Sequence, residues 1–233
     1  MTADPAALAD TARALAEHLR FHQALGIRDL PLTGEPLAGP SAALRRLEAA
    51  STGCTLCKLS KGRTTIVFGT GHPEARLVVI GEGPGEEEDR QGKPFVGRAG
   101  QLLTKMLESV GITREEVYIC NIVKCRPPGN RNPEPEEIAA CAPYLAGQLA
   151  AIQPGVICAL GTFAAQQLLK TREPISRLRG QLHRLGGAAV VPMFHPAYLL
   201  RNPGPEPRRQ AYDDLKLMRR EYDRIRGRAP ADA

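Results

Sequence analysis

The 233-residue chain contains no apolar run approaching the roughly 20 residues that a membrane span requires. Its start carries Asp4 and Asp10 where a secretory leader would have a basic stretch and an apolar core, so the expected compartment is the cytoplasm. No glycine-rich loop ends in Gly-Lys-Ser/Thr, which excludes a Walker phosphate cradle, and the dinucleotide fingerprint is missing as well. Without a flavin or nicotinamide motif beside them, the cysteines have no sign of a redox role. Internal repeats are also lacking.

What is present is a moderate basic excess, with Lys+Arg 31 against Asp+Glu 25 and a net charge of +6. Such a balance suits a polyanionic partner. The length accommodates one substantial α/β core and not a second full domain. Six cysteines in a cytoplasmic chain point to metal ligation before disulfides.

Residues 1–50 read as an N-terminal helical arm and linker: apolar positions recur at helical spacing from Ala6 to Leu25, and Pro31, Gly34, Pro36, Gly39 and Pro40 follow. A short helix from Ser41 to Ala50 would take Ser41 as its N-cap. The main domain spans residues 51–226, and 227–233 read as a disordered tail. Within the domain, Leu77–Ile80, Val117–Val123, Val156–Leu160 and Val190–Phe194 read as strands. Between them lie helical patterns at Gly100–Val110, after Pro135 to Ala151, and at Thr162–Leu169, with a basic amphipathic helix closing the chain at Pro207–Arg226. Strands alternating with helices imply a mostly parallel sheet with right-handed crossovers.

The stretch Gly81-Glu82-Gly83-Pro84-Gly85 breaks the first strand, and Glu86, Glu87, Glu88, Asp89 and Phe95 follow in what reads as a loop. Acidic groups and an aromatic at the carboxyl end of a strand mark a ligand crevice in an open α/β sheet. A plain strand-to-helix turn with a solvated acid run is the alternative. Cys54 and Cys57 have the Cys-x2-Cys spacing that lets two thiolates face one metal centre. Cys125, at the end of the second strand, and Cys141, in the next helix, are the candidate partners, whereas Cys120 and Cys158 sit in apolar strands as core residues. Spacing alone leaves zinc and an iron–sulfur cluster equally open.

Four ordered blocks carry a resemblance: Gly81-Glu82-Gly83-Pro84-Gly85-Glu86-Glu87-Glu88-Asp89, Gly92-Lys93-Pro94-Phe95-Val96-Gly97, Asn121-Ile122-Val123-Lys124-Cys125-Arg126-Pro127-Pro128, and His195-Pro196-Ala197-Tyr198-Leu199. Over about Cys54 to Asn202 the chain resembles the family-four uracil-DNA glycosylases. The resemblance implies a three-layer α/β/α sandwich around a central four-stranded parallel sheet. It also implies a structural [4Fe-4S] cluster on Cys54, Cys57, Cys125 and Cys141. The Lys-Arg-Arg-Ile-His insertion of the family-X enzymes, which cross-link to DNA, is replaced here by Arg126-Pro127-Pro128-Gly129-Asn130-Arg131-Asn132-Pro133, so covalent capture is not expected.

The implied activity is hydrolysis of the N-glycosidic bond of deoxyuridine in single- or double-stranded DNA by a monomer, leaving an abasic site for base-excision repair. Uracil would contact Glu82, Gly83, Pro84, Phe95, Asn121 and His195. Phe95 would stack on the base, Asn121 would read O4 and N3–H, and His195 would donate to O2 as charge develops there. Glu82 is the candidate carboxylate for water or for countering sugar charge, although the family-one enzymes have Asp at the position of Gly83. Glu88 and Asp89 are second candidates. Tyr198, Leu199, Leu200 and Arg201 resemble the segment that enters the duplex, and Lys58, Lys61, Arg63, Arg126 and Arg131 are candidate phosphate contacts. A rival reading is a non-catalytic iron–sulfur protein that binds nucleic acid, and the joint presence of Glu82, Asn121 and His195 argues against it.

Overall fold

The computed structural model describes residues 39–227. The helical pattern at Ala6–Leu25, the linker down to residue 38 and the tail from residue 228 lie outside them. Helix α1 (Pro40–Ser51) leads through a long loop, with one 3-10 helix at Lys58–Lys61, to β1 (Thr70–Gly71) and β2 (Leu77–Gly81). Helices α2 (Glu86–Gln91) and α3 (Arg98–Glu108) then precede β3 (Tyr118–Asn121), and α4 (Pro135–Ile152) leads to β4 (Val156–Leu160). After α5 (Gly161–Leu169) and α6 (Ile175–Leu178) come β5 (His183–Leu185) and β6 (Ala188–Met193). Helices α7 (Pro196–Arg201) and α8 (Pro205–Ile225) complete the described chain.

Six strands form one sheet in the order β1-β3-β2-β4-β6-β5. The four expected strands are its parallel centre, and β1 and β5 are added antiparallel at the two edges. At two and three residues, the edge strands are too short to show a period in the sequence.

Side chains alternate across the sheet and divide the core in two. Val78, Ile80, Ile157 and Val190 face Leu145 and Leu149 of α4 and Ala165 and Leu168 of α5. Leu77, Val79, Cys158 and Val191 face Leu103 and Leu107 of α3 and Leu215 and Met218 of α8. The layers are therefore helix, sheet and helix, as the family resemblance implies. Because both faces are covered, the central strands read as continuous apolar runs. Among the described residues no helix is long and apolar enough to cross a membrane.

Three local expectations change. Gly39, not Ser41, caps α1, because Pro40 takes the first helical position, where its missing N–H costs nothing. The acid run is not a loop but the first turn of α2, where carboxylates oppose the positive end of the helix dipole. Helix α8 starts at Pro205 rather than Pro207, again with proline at its head.

Candidate active site

The parallel strands end together along one edge, with Gly81 opposite Asn121 and Leu160 opposite Met193. This is the edge where open α/β sheets hold ligands. A β-carbon at Gly81 would lie 2.5 Å from both Asn121 Oδ1 and Phe95 Cζ, so glycine lets the amide and the aromatic ring close over the end of β2. Asn121 is 1% exposed, and its Oδ1 has no hydrogen-bond partner among the described residues. Phe95 is also buried, and its ring centroid lies 5.6 Å from that of His195.

Phe95 has φ 54°, the left-handed region that a bulky side chain enters at a cost of about 1–3 kcal/mol. Its surroundings hold it there. Val96 N and Gly97 N both donate to Glu88 Oε1, at 2.9 and 2.8 Å, and Arg114 Nη2 donates to Pro94 O at 2.5 Å. Next along α2, Asp89 accepts from Thr64 N at 2.9 Å and Thr65 N at 3.3 Å. Glu88, through Oε1, and Asp89, through both carboxylate oxygens, thus act as buried clamps on backbone N–H groups rather than as a solvated face.

His195 caps α7, and its Nδ1 accepts the N–H of Ala197 at 3.1 Å. Burial holds its pKa down at about 4, and the nearby positive charge of Arg201 acts in the same direction. At neutral pH the ring is therefore uncharged, with its proton on Nε2. The backbone at Gly161, φ 86°, passes so close that a β-carbon there would be 3.1 Å from His195 Cβ. Gly161 is a site residue that the sequence reading missed. Its signal was a glycine directly after a buried strand, the same punctuation as Gly81. Glu82 follows β2, and burial alone raises its carboxyl pKa to about 7.

Cys54, Cys57, Cys125 and Cys141 line one cavity with Arg63, Lys124 and Tyr144, although they come from three separate segments. Cys125 Sγ accepts from Arg63 Nη1 at 3.3 Å, and Cys141 Sγ accepts from Lys124 N at 3.2 Å. Burial raises the pKa of both thiols, Cys141 to about 11. Cys120 and Cys158 are core residues, as expected. Among the described residues no group of three or more His, Cys, Asp or Glu is arranged to hold a single metal ion.

The segment after His195 is the helix α7 rather than a loop, which separates its two leucines. Leu199 is 5% exposed and packs in the core with Phe194, so it is not available as a wedge, whereas Leu200 is 40% exposed. Tyr198 lies at the surface with its ring 4.7 Å from that of Phe194. The expected phosphate contacts also divide. Arg131 makes two bonds to the buried carboxylate of Glu137, at 2.6 and 2.9 Å, and Arg63 is turned toward Cys125. Lys58 makes exposed pairs with Glu134 and Glu136 that a phosphate can displace, and the half-buried Arg126 lies 3.6 Å from Glu86 while donating to Asn130 Oδ1 at 2.8 Å. Lys61 is exposed.

The chain belongs to the uracil DNA glycosylase superfamily, whose family profile matches residues 68–216. Within it the chain sides with the type-4 enzymes. The type-4 uracil-DNA glycosylase of Thermotoga maritima is 52% identical over 165 residues, covering 70% of this chain and 86% of its own length. That of Archaeoglobus fulgidus is 46% identical over 158 residues, covering 64% and 79%. The type-5 uracil-DNA glycosylase of Pyrobaculum aerophilum is more distant, at 32% over 151 residues, 58% of this chain and 66% of its own.

The two leucines of α7 give opposite expectations. Leu199→Ala should lower unfolding free energy by about 2–5 kcal/mol, while Leu200→Ala should leave stability within about 0.5 kcal/mol. Leu200→Ala should instead slow excision from duplex more than from single-stranded DNA, read by comparing the two substrates at equal enzyme. Equal slowing on both would remove the wedge role from Leu200.

Proposed function

We propose that this chain is a monofunctional uracil-DNA glycosylase that hydrolyses the N-glycosidic bond of deoxyuridine in DNA, releases uracil and leaves an abasic site. The observation that carries the reading is the unpartnered Oδ1 of Asn121, a buried acceptor beside an aromatic ring. An orphaned buried acceptor costs about 1–3 kcal/mol, which a ligand donor recovers. Uracil N3–H is such a donor, and the amide N–H of Asn121 then meets O4. In cytosine, N3 has no hydrogen and position 4 carries a donor, so both contacts fail together.

A base must leave the stack to reach this edge of the sheet, and Phe95 offers the face it would stack on. Gly83 and Pro84, next in the chain after Glu82, would present backbone to the same base. As the glycosidic bond breaks, negative charge gathers on the base and positive charge on the sugar. His195 Nε2–H supplies a hydrogen bond to O2 while staying a weak acid, because its imidazole is neutral. Glu82, anionic above its raised pKa, would counter the sugar charge or orient the attacking water.

The cysteine cavity suits a [4Fe-4S] cluster better than zinc. In such a cluster each thiolate binds a different iron, so the sulfurs need not converge on one point, and N–H donors to Sγ of the kind given by Arg63 and Lys124 support anionic sulfur. A bound cluster would supply negative charge and cross-link three chain segments without entering the chemistry. The thiols' raised pKa values mean that they remain protonated without a metal to compensate.

Release of free uracil from a uracil-containing oligonucleotide tests the function directly, and an inactive, properly folded parent would overturn it. Asn121→Asp should raise the transition-state barrier for uracil by about 1–3 kcal/mol, with an unchanged rate removing Asn121 from base reading. For the free enzyme, kcat/KM should climb as pH rises through about 7, the pKa of Glu82, and Glu82→Gln should lose that limb. Anaerobically purified protein should be brown and contain iron and sulfide. Cys125→Ala should lose colour and thermal stability together, whereas colourless, active protein with one zinc would refute the cluster.

A further inference from the structure

Between Asn121 and Cys125 lies a residue that neither base reading nor metal ligation uses. Lys124 is 2% exposed, yet it carries an ammonium group. Its side chain folds back so that Nζ donates to the backbone carbonyl of Asn121 at 2.8 Å and to Gln148 Oε1 at 2.6 Å. Its own N–H donates to Cys141 Sγ at 3.2 Å. Gln148 and Cys141 share helix α4. Gln148 in turn donates to Phe68 O at 2.8 Å and to the Tyr118 hydroxyl at 3.1 Å, so the network returns to β3.

Both acceptors of the ammonium are neutral, and the ring 6.0 Å away belongs to Phe68. A buried cation held only by neutral groups is costly and calls for negative charge nearby. The cavity that Lys124 lines supplies it once its cysteines are thiolates. The same ammonium fixes the carbonyl of the residue that reads the base.

We propose that Lys124 is a positioning residue that ties the cysteine centre to base recognition. Negative charge at the centre holds the ammonium, the ammonium holds the carbonyl of Asn121, and the amide is thereby aimed at the base edge. This rests on the uracil-releasing function proposed above. If the parent releases no uracil, that reading fails first; if the parent is active, the variants below judge the coupling alone.

Lys124→Met keeps the length and removes the charge and donors. With the holoprotein on single-stranded uracil DNA, single-turnover excision should fall about 10- to 100-fold, the range seen when groups supporting a site are removed. Affinity for uracil-free DNA should be unchanged. The reduction potential of the centre should become more negative, because a cation that favours the reduced, more anionic state has gone. Loss of a nearby charge alone would move that potential and leave excision at the parental rate, so it is the two changing together, with DNA affinity kept, that marks a positioning residue. Parental excision with a parental potential would overturn the proposal, as would a uniform loss of fold, iron and DNA binding that Gln148→Met does not reproduce as slowed excision. Should Lys124→Met not fold, Gln148→Met is read by the same two assays, and parental values in both are the refuting result.

Discussion

The site depends on two N–H bonds to one carboxylate. Val96 and Gly97 donate to Glu88, and with Arg114 on Pro94 they keep Phe95 in a backbone region it would otherwise leave. The neighbouring Asp89 pulls the other way, onto Thr64 and Thr65, which follow the arginine that reaches Cys125. Short helix α2 is therefore a clamp with two jaws, one closed on the segment that carries Phe95 and the other on the loop that runs to the cysteine cavity. Its acidic sequence reflects those tasks rather than solvation.

The sheet was largely legible in the sequence because central strands covered on both faces are written as apolar runs, and Leu77–Ile80 and Val156–Leu160 are of that kind. The candidate site was legible as motifs, and its residues do meet at one edge. Three things were not legible. The edge strands are too short to carry a period, and the acids of α2 look alike on paper although Glu88 and Asp89 are buried and Glu86 and Glu87 are not. Leu199 and Leu200 are chemically identical, and only the helical turn of α7 sends one into the core and the other to water.

Charge is used inward as much as outward. Arg179 grips Asp214 with bonds of 2.8 and 3.0 Å while its guanidinium lies 5.2 Å from the Phe194 ring, next to His195. Arg131 closes on Glu137 in a similar way at the head of α4. A basic excess counted from the sequence thus overstates the cations free to meet phosphate, since several already serve as internal ties.

The strand order has a consequence for how the site comes into being. The central pair β2 and β4 are neighbours in space, but α2, α3, β3 and α4 lie between them in the chain. His195 comes later still, beyond β6. On a ribosome, the stretch bearing Gly81, Phe95 and Asn121 emerges well before the strand that backs it and the imidazole that faces it. Long-range parallel pairing of this sort is slow, so Asn121, Phe95 and His195 are brought together in one late step. A nascent chain arrested before that step has a strand edge to protect and no glycosylase to offer.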